Sequence, residues 1–288
     1  MVTRQQKRDA VEIMRDKGLP LRKSCDLVGI HKNTASYIFR RKPDAELTEQ
    51  IRTIALKHNR FGYRRITAEI RKTGFIVNHK RVFRIYRCTN LVIRRKRHKR
   101  KLDVKPVKLP IPMQANDCWS CDFMSDAFET GRRYRTLNVL DDFSRGCLAI
   151  EVDTSLPGQR VVRLFSSLVA TYGKPKSIRT DNGPEFRSKA VQKWAETNGI
   201  TMAFIEKGKP TQNALVESFN GKLRDECLNQ TRFCCVLEAK KELETWRNFY
   251  NNERPHSSLK YMTPAAYAAK HSYQLQEVAT QQNVKLSA

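Results

Sequence analysis

The chain has 288 residues and a formal net charge of +26, from 55 Lys and Arg against 29 Asp and Glu. A hydrophobic fraction of 40%, with 13 Phe, 9 Tyr and 3 Trp, excludes a wholly disordered protein. No apolar run approaches the roughly 18 residues of a membrane span, and no apolar signal core follows the N-terminus, so we expect a cytoplasmic protein with reduced cysteines.

The positive charge is concentrated at the front of the chain. Residues 1–108 hold 31 Lys and Arg against 9 Asp and Glu, whereas residues 109–288 hold 24 against 20. A ribosomal-type basic protein usually spreads such an excess over its whole length. The split therefore predicts a front part that binds nucleic acid, joined to a nearly neutral part with another task. A membrane surface or another acidic ligand is the alternative.

Residues 1–44 have the pattern of a helix-turn-helix DNA-binding module. A polar helix with Val11 and Met14 inward precedes a helix that ends at Gly29, and a third helix is predicted over 32–41. In this arrangement the second helix of the pair enters the major groove of DNA. The predicted DNA-facing residues are Lys32, Asn33, Ser36 and Arg40. A plain three-helix bundle with a solvated basic face is the alternative.

A second helical DNA-binding module is predicted over residues 45–92. Apolar residues recur at helical spacing, and Asn78 can cap the last helix. We interpret His58 as a half-buried helix residue rather than a ligand. A basic linker over 93–112 follows, with four residues predicted to lie along DNA phosphates: Arg94, Arg95, Lys96 and Arg97. A solvated charge run without a fixed partner is the alternative for this linker.

From residue 113 the pattern changes to short alternating β-type runs. The predicted order is three strands, a helix, a strand, a helix, a strand and two closing helices, which is a mixed α/β order. The first closing helix is predicted as one segment over 211–228. This part extends over 113–272, and a tail covers 273–288.

Three acidic residues stand out by position in this α/β part. Asp122 lies within the first strand among apolar residues, Asp181 lies where a strand ends in a tight turn, and Glu217 lies in the middle of a helix. An unpaired carboxylate in a core costs several kcal/mol, roughly 2–7 for a polar group and more for a charge. A shared Mg²⁺ offsets that cost, since it takes oxygen ligands. For any one of these residues alone, an ordinary polar position is the alternative.

The sequence around these acids resembles a known family. The segments W-S-C-D-F at Asp122, T-D-N-G-P-E-F at Asp181 and N-A-L-V-E-S-F-N-G-K-L-R at Glu217, with 35 residues between the last two acids, resemble the retroviral-integrase-type catalytic core of insertion-sequence transposases of the "three" family. Three further segments resemble its other motifs: F-G-Y-R-R-I at 61–66, V-N-H-K-R-V at 77–82 and Y-N-N-E-R-P-H-S-S-L at 250–259. The resemblance covers about residues 3–268 and is to the catalytic subunit encoded by the second reading frame.

The resemblance implies a ribonuclease-H-like (retroviral integrase) α/β catalytic core with N-terminal all-α helix-turn-helix modules. It implies a DNA transposase in which Asp122, Asp181 and Glu217 hold two Mg²⁺ ions, with Mn²⁺ as a substitute, and Asp122 bridges the metals. Arg224, seven residues after Glu217 on the same helix face, is the candidate contact to terminal DNA phosphates. Asn213, four residues before Glu217, is a candidate for lining the groove.

The resemblance also implies partners. These are the terminal inverted repeats of the element and its target DNA, a homo-oligomer on the DNA, and an upstream-frame transposase subunit or fusion produced by frameshifting. The expected place of action is the bacterial cytoplasm, in association with the nucleoid. Because the chain begins at its own Met1, we expect it to be incomplete for specific end recognition.

Two other functions fit the same fold. One is a non-catalytic DNA-binding regulator of transposition, and the other is a ribonuclease-H-type nuclease. The presence of all three carboxylates disfavours the regulator, and the two helical DNA-binding modules disfavour indiscriminate hydrolysis.

Other chemically suggestive residues are discounted. Asp141 and Asp142 are interpreted as part of a turn with Arg145 as partner, rather than as metal ligands. Cys118 and Cys121 form a CxxC motif, but no second such pair or paired His lies at zinc spacing.

Overall fold

The computed structural model describes residues 2–36, 44–93, 112–206 and 210–272. The chain divides into two compact units, Met1–Glu46 and Leu47–Ala288. The finer domain boundaries predicted from the sequence stay a prediction. None of the helices in the described part of the chain is both long enough and apolar enough to cross a membrane.

The first unit contains the three predicted helices: α1 (Arg4–Asp16), α2 (Leu21–Val28) and α3 (Lys32–Ala35). Thr3 caps α1 by accepting a hydrogen bond from Gln6 N, and Gly29 ends α2 in the left-handed conformation with φ of 66°. A glycine suits this position because it has no Cβ to clash there. The second half of the predicted third helix lies outside the described residues.

The second unit begins with the predicted second helical module. Its helices are α4 (Ala45–Lys57), α5 (Tyr63–Lys72) and α6 (His79–Cys88), and Asn78 caps α6 by accepting from Lys80 N at 2.9 Å, as predicted. Their apolar stripes form one small core with Ile51, Ile66 and Val82 fully buried. Helices of this length are marginal alone, so this shared core stabilises all three.

A five-stranded mixed sheet forms the rest of the unit. The strands are β1 (Cys118–Ala127), β2 (Arg133–Asp141), β3 (Cys147–Asp153), β4 (Ser177–Thr180) and β5 (Thr201–Phe204), and their order across the sheet is β3-β2-β1-β4-β5. β1, β2 and β3 pair antiparallel, whereas β4 and β5 run parallel to β1. The helices are α7 (Gly158–Tyr172), α8 (Lys189–Asn198), α9 (Ala214–Leu223) and α10 (Val236–Asn252). This is the ribonuclease-H-like architecture that the sequence predicted.

Each face of the sheet has its own core because side chains alternate along the strands. Trp119, Leu137 and Phe165 belong to the core beneath α7 and α8, whereas Phe219 and Tyr250 belong to the core beneath α9 and α10. The sheet is thus covered by helices on both faces, which places β1 at the centre of the unit.

The predicted helix over 211–228 consists of three segments instead of one. A 3-10 turn, Pro210–Asn213, precedes α9, and a π-helical turn, Arg224–Leu228, follows it. Asn213 departs from helical geometry with φ of −114° and ψ of 22°. In the π turn, Asn229 N donates to Arg224 O, five residues back. Sequence periodicity does not reveal these changes because tertiary contacts impose them.

The π turn binds the helical module through two adjacent acids. Arg60 Nη2 lies 2.8 Å from Asp225 Oδ1, and Arg65 Nη1 lies 3.5 Å from Glu226 Oε1. Glu226 also accepts two hydrogen bonds, at 2.6 and 2.7 Å, from the fully buried Arg254. The helical module is therefore joined to the segment that directly follows α9.

An aromatic stack forms the apolar part of the same contact. His58 lies 4.5 Å from the ring centroid of Phe61 and 4.9 Å from that of Phe249 on α10. Burial lowers the pKa of His58, which keeps the imidazole neutral in the stack. His58 lies one residue beyond α4, and its predicted half-buried packing role is confirmed.

We expect Glu226→Gln to lower the free energy of unfolding by about 3–5 kcal/mol, because it leaves the buried Arg254 guanidinium without its counter-ion. Urea denaturation of the full chain, followed by tryptophan fluorescence, measures the effect. The matched control is Asp225→Asn, which removes an exposed ion pair on the same turn and should cost at most about 1 kcal/mol. Equal losses for the two variants would contradict the assignment of Glu226 as a buried counter-ion.

Candidate active site

Two of the predicted carboxylates lie at the same level on neighbouring strands. β1 and β4 are parallel, with Ser120 opposite Arg179. Continuing that register places Asp122 beside Asp181, at the point where β4 has ended. Both residues fall on the face of the sheet that α9 covers, since side chains two positions apart share a face.

The Asp122 carboxylate is half-buried and is held by two neutral donors. Its Oδ1 accepts from Phe123 N at 2.9 Å, and its Oδ2 accepts from Asn220 Nδ2 at 2.8 Å. Burial is the largest of the causes that raise the pKa of Asp122 to about 6; the negative charges of Asp181 and Glu217 add to it, and the two hydrogen bonds oppose it. The negative charges of Asp181 and Glu217 therefore act on Asp122 through space.

The turn after β4 fixes Asp181. Gly183 N donates to Asp181 Oδ1 at 3.1 Å, which closes a tight turn of the kind that Asp and Gly favour. A Cβ added to Gly183 would lie 3.0 Å from Asp181 Oδ1 and 3.2 Å from Glu185 Oε2. A side chain at this position would therefore require one or both carboxylates to shift by a few tenths of an ångström.

Glu217 lies in the first turn of α9. Its neighbours Val216 and Phe219 are fully buried and anchor the helix to the sheet, whereas Glu217 itself is exposed. The Glu217 carboxylate is therefore solvent-exposed, and its negative charge is close enough to contribute to the raised pKa of Asp122.

Asn220 is a site residue that sequence reasoning missed. Its amide group donates to Asp122, while Asn138 Nδ2 on β2 donates to Asn220 Oδ1 at 2.7 Å. This second hydrogen bond orients the amide so that its NH₂ group faces the carboxylate. The sequence signal was an Asn three residues after Glu217, but its partners on β1 and β2 emerge only from the fold.

A pair of oppositely charged residues lies beside the Asp181 turn. Glu185 forms an ion pair with Arg135 of β2, and the Arg135 guanidinium lies 4.3 Å from the ring centroid of Phe123. Burial alone would raise the pKa of Glu185, but the hydrogen bond and charge of Arg135 outweigh it and hold that pKa below its usual value. The pair ties the turn that carries Asp181 to β1 and β2.

The structure gives the two predicted groove residues of the 210–224 segment different surroundings. Arg224 is part-exposed and donates to Asp126 Oδ2 at 3.1 Å and to Ser125 O at 3.0 Å. Asn213 is buried, and its Nδ2 donates to Cys121 O at 3.2 Å, beside Asp122. Their DNA contacts stay predictions, and the contact seen for Asn213 is one that supports β1.

The other predicted DNA-facing residues divide into two groups. Lys32, Asn33 and Ser36 are exposed at α3. The remaining predicted DNA contacts lie outside the described residues: Arg40, Arg94, Arg95, Lys96 and Arg97. For all of these, DNA binding stays a prediction.

The adjacent acids Asp141 and Asp142 form a turn at the end of β2, as predicted. Asp141 accepts hydrogen bonds from Ser144 N and Oγ, at 2.8 and 2.6 Å, and Arg145 N donates to Asp141 O at 2.9 Å. The buried Asp142 forms an ion pair with Arg179 of β4 at 2.8 Å, a partner that the sequence did not predict. β4 lies on the other side of β1 from β2, so local sequence cannot reveal this pair.

The CxxC pair does not form a metal site. All eight cysteines are free, and Cys118 and Cys121 are buried on β1. Three positions apart on a strand, their side chains point to opposite faces, which prevents both from binding one ion.

The donor chemistry of the three carboxylates fits a divalent cation. Oxygen donors with uncompensated negative charge are what Mg²⁺ prefers, and the Asp122 carboxylate is held by neutral donors alone among the contacts above. Within residues 2–36, 44–93, 112–206 and 210–272, no three His, Cys, Asp or Glu side chains converge on one metal position. The exposed Glu217 side chain would have to turn towards Asp122 and Asp181 to complete such a site.

Comparisons with known families agree with this architecture. Residues 112–210 and residues 198–264 each match an Integrase core domain family. Residues 42–99 match an HTH-like domain family, which coincides with the second helical module.

Several individual proteins are similar to this chain. The chain is 43% identical over 253 residues to an uncharacterized 31.7 kDa protein of insertion element IS407 from Burkholderia multivorans, covering 87% of this chain and 91% of the relative. It is 39% identical over 272 residues to an uncharacterized 39.2 kDa protein of insertion element IS476 from Xanthomonas euvesicatoria, covering 94% of this chain and 79% of the relative. A solved structure of the HTLV-2 integrase catalytic core domain in complex with magnesium aligns with a TM-score of 0.43 and 19% identity, over 54% of this chain and 98% of that chain.

The integrase core matches cover the sheet and α9, which carry the three carboxylates, and the IS407 relative extends over nearly the whole chain. The chain therefore belongs to the "three" family of insertion-sequence transposases, proteins with an integrase core that act in DNA transposition.

Proposed function

We propose that this chain catalyses metal-dependent strand cleavage and strand transfer at the ends of its own insertion element. In this proposal Asp122, Asp181 and Glu217 are the catalytic carboxylates and hold two Mg²⁺ ions, for which Mn²⁺ substitutes. Asp122 is the candidate bridging ligand.

The proposal rests mainly on the position of Asp122. The Asp122 carboxylate on the central strand is half-buried, and the register of β1 and β4, when continued, places it level with Asp181. Burial is the main cause that raises its pKa, and the negative charges of Asp181 and Glu217 add to it. A site that gathers negative charge without a basic partner supports cation binding as its purpose.

Bound ions of this kind supply activation of the attacking hydroxyl and stabilisation of the leaving oxygen in an in-line displacement at phosphorus. The protein supplies orientation. Asn220 fixes the rotation of the Asp122 carboxylate, and Gly183 N fixes that of Asp181. The ion pair between Arg135 and Glu185 stabilises the turn that carries Asp181. Positioning of this kind contributes to rate because misplaced ligands lose transition-state contacts.

The proposal includes the partners implied by the family. The substrates are the terminal inverted repeats and the target DNA, and the working form is a homo-oligomer on DNA together with an upstream-frame subunit or fusion. Arg224, at the C-terminal end of α9, is proposed to contact the terminal phosphates, because its guanidinium is part-exposed beside the site.

We expect Asp181→Asn to abolish cleavage and joining of a labelled duplex carrying the element's end, because one metal ligand is lost while the fold is kept. Denaturing gels measure the products, and a gel shift should show unchanged DNA binding. Equal activity of the wild type and the variant would overturn the catalytic assignment.

The same assay distinguishes the proposed transposase from the two alternative functions, a nuclease and a DNA-binding regulator. Cleavage without joining would favour a nuclease. A wild-type protein that binds but does not cut, even when the upstream-frame product is added, would favour a DNA-binding regulator.

Metal binding has a readout that does not depend on activity. We expect Mg²⁺ or Mn²⁺ to raise the midpoint of thermal unfolding of the wild-type protein, because a ligand that binds only the folded state stabilises it by mass action. Asp122→Asn should lose this metal-dependent increase, whereas Glu196→Gln, a change at an exposed acid of α8, should keep it. A metal-dependent increase of the same size in Asp122→Asn would contradict the proposed ligand.

Asn220→Ala tests the orientation of Asp122. We expect about a 10- to 100-fold loss of activity, the usual range for partners of metal ligands, and a higher Mg²⁺ concentration for half-maximal activity. Ser218→Ala, at an exposed neighbour on the same helix, is the control and should change neither quantity. A loss of activity without a shift in the Mg²⁺ requirement would indicate a structural role only.

A further inference from the structure

A cavity of about 480 Å³ lies between the helical module and the loop after α10. We name it the basic groove, and its lining residues are Arg64, Thr67, Ala68, Arg71, Lys72, His79, Lys260 and Tyr261. Among these described lining residues there are four Lys or Arg side chains and no Asp or Glu. The groove is also separate from the three carboxylates, none of which lines it.

One wall of the groove is a single face of α5. Arg64, Ala68 and Arg71 are spaced four and three residues apart and therefore lie on one side of the helix. Ile66 and Ile70 are fully buried on the other side, so the basic face cannot turn inward. The small Ala68 side chain between the two arginines leaves room for a ligand.

The cations on this wall keep their charge accessible. Arg64 Nε donates to Tyr63 Oη at 3.1 Å, and Arg71 donates twice to Val77 O, at 3.1 and 2.8 Å. These partners are a hydroxyl and a backbone carbonyl, which orient the guanidinium groups without neutralising them. Lys72 alone has an acid beside it, Glu69, at 2.8 Å.

The opposite wall is a turn held in an uncommon conformation. Lys260 and Tyr261 are consecutive residues with φ of 52° and 66°, in the left-handed region that residues with a Cβ rarely adopt. Backbone hydrogen bonds hold them there: Tyr261 N donates to His256 O at 2.8 Å, and His256 N donates to Met262 O at 3.1 Å. The buried His256 anchors this loop, so the backbone of Lys260 and Tyr261 is already ordered beside the groove.

The length of the wall favours a polyanion over a small ion. α5 rises about 1.5 Å per residue, so Arg64 and Lys72 are separated by about 12 Å along the helix axis. One strand of duplex DNA carries a phosphate about every 3.4 Å of its axis, so this distance corresponds to several phosphates. Lys260, from the other wall, adds a charge that the helical module does not provide.

We propose that the basic groove binds the phosphodiester backbone of duplex DNA, with Arg64 and Lys260 as contacts from its two walls. The proposal rests on the DNA-transposition function of the family. It specifies contact residues on α5, within the second helical module predicted to bind DNA, and adds Lys260, which lies outside both predicted DNA-binding modules. DNA bound in the groove contacts both the helical module and the loop after α10.

The test measures the salt dependence of DNA binding by the full chain. The probe is a fluorescein-labelled duplex of arbitrary sequence, because phosphate contacts do not depend on sequence. EDTA is present, so cleavage does not contribute. We expect Arg64→Gln and Lys260→Gln each to weaken binding and to reduce the slope of log K against log salt concentration by about 1.

Two controls accompany these variants. Lys260→Arg keeps the charge and should retain the wild-type slope. Lys193→Gln removes an exposed lysine of α8, outside the groove, and should also retain it. Circular dichroism verifies that each variant is folded, which we expect because Arg64 and Lys260 are exposed.

Several outcomes would overturn the proposal. They are an unchanged slope in both groove variants, an equal reduction in Lys193→Gln, and a wild-type protein that binds no duplex. Loss of binding to a polyglutamate probe with an unchanged DNA slope would instead indicate an acidic protein partner, and it too overturns the proposal. These results are independent of the Asp181→Asn cleavage assay, so the groove can fail while the catalytic function stands.

Discussion

The hydrogen bond from Asn220 to Asp122 is the contact on which the site depends. It joins the central strand to α9, the helix that also carries Glu217, and it meets a half-buried carboxylate that has acids rather than a base around it. A basic partner would stabilise Asp122 more, but it would also cancel the charge that a cation requires. A neutral amide orients the carboxylate and leaves that charge in place.

Cationic residues lie at the contact between the helical module and the integrase core. Arg254 is buried there against Glu226, while Lys260, further along the same loop, is exposed at the basic groove. The helical module belongs to the positively charged front of the chain, so a buried ion pair joins this part of the front to the nearly neutral back. The described hydrogen-bond donors to Asp122, in contrast, are neutral.

Much of the fold could be predicted from local sequence patterns. Each predicted strand and helix of the α/β part is present, since strand alternation and helix periodicity are local properties. The helix over 211–228 was the exception, because its 3-10 and π segments arise where Asn213 bonds to β1 and Glu226 meets Arg254. The ion pair of Asp142 was missed for the same reason: Arg179 lies on β4, distant in sequence, and only the fold brings it close.

The sequence by itself determined the family, the order of elements and the three acids, because motif spacing along the chain carries that information. The tertiary structure decided what surrounds those acids. The register between β1 and β4 sets Asp122 beside Asp181, and the packing of α9 brings Asn220 to them. It also decided that Arg64 and Lys260, almost 200 residues apart, line one groove. Neighbours of this kind depend on how elements pack, and no local pattern encodes that.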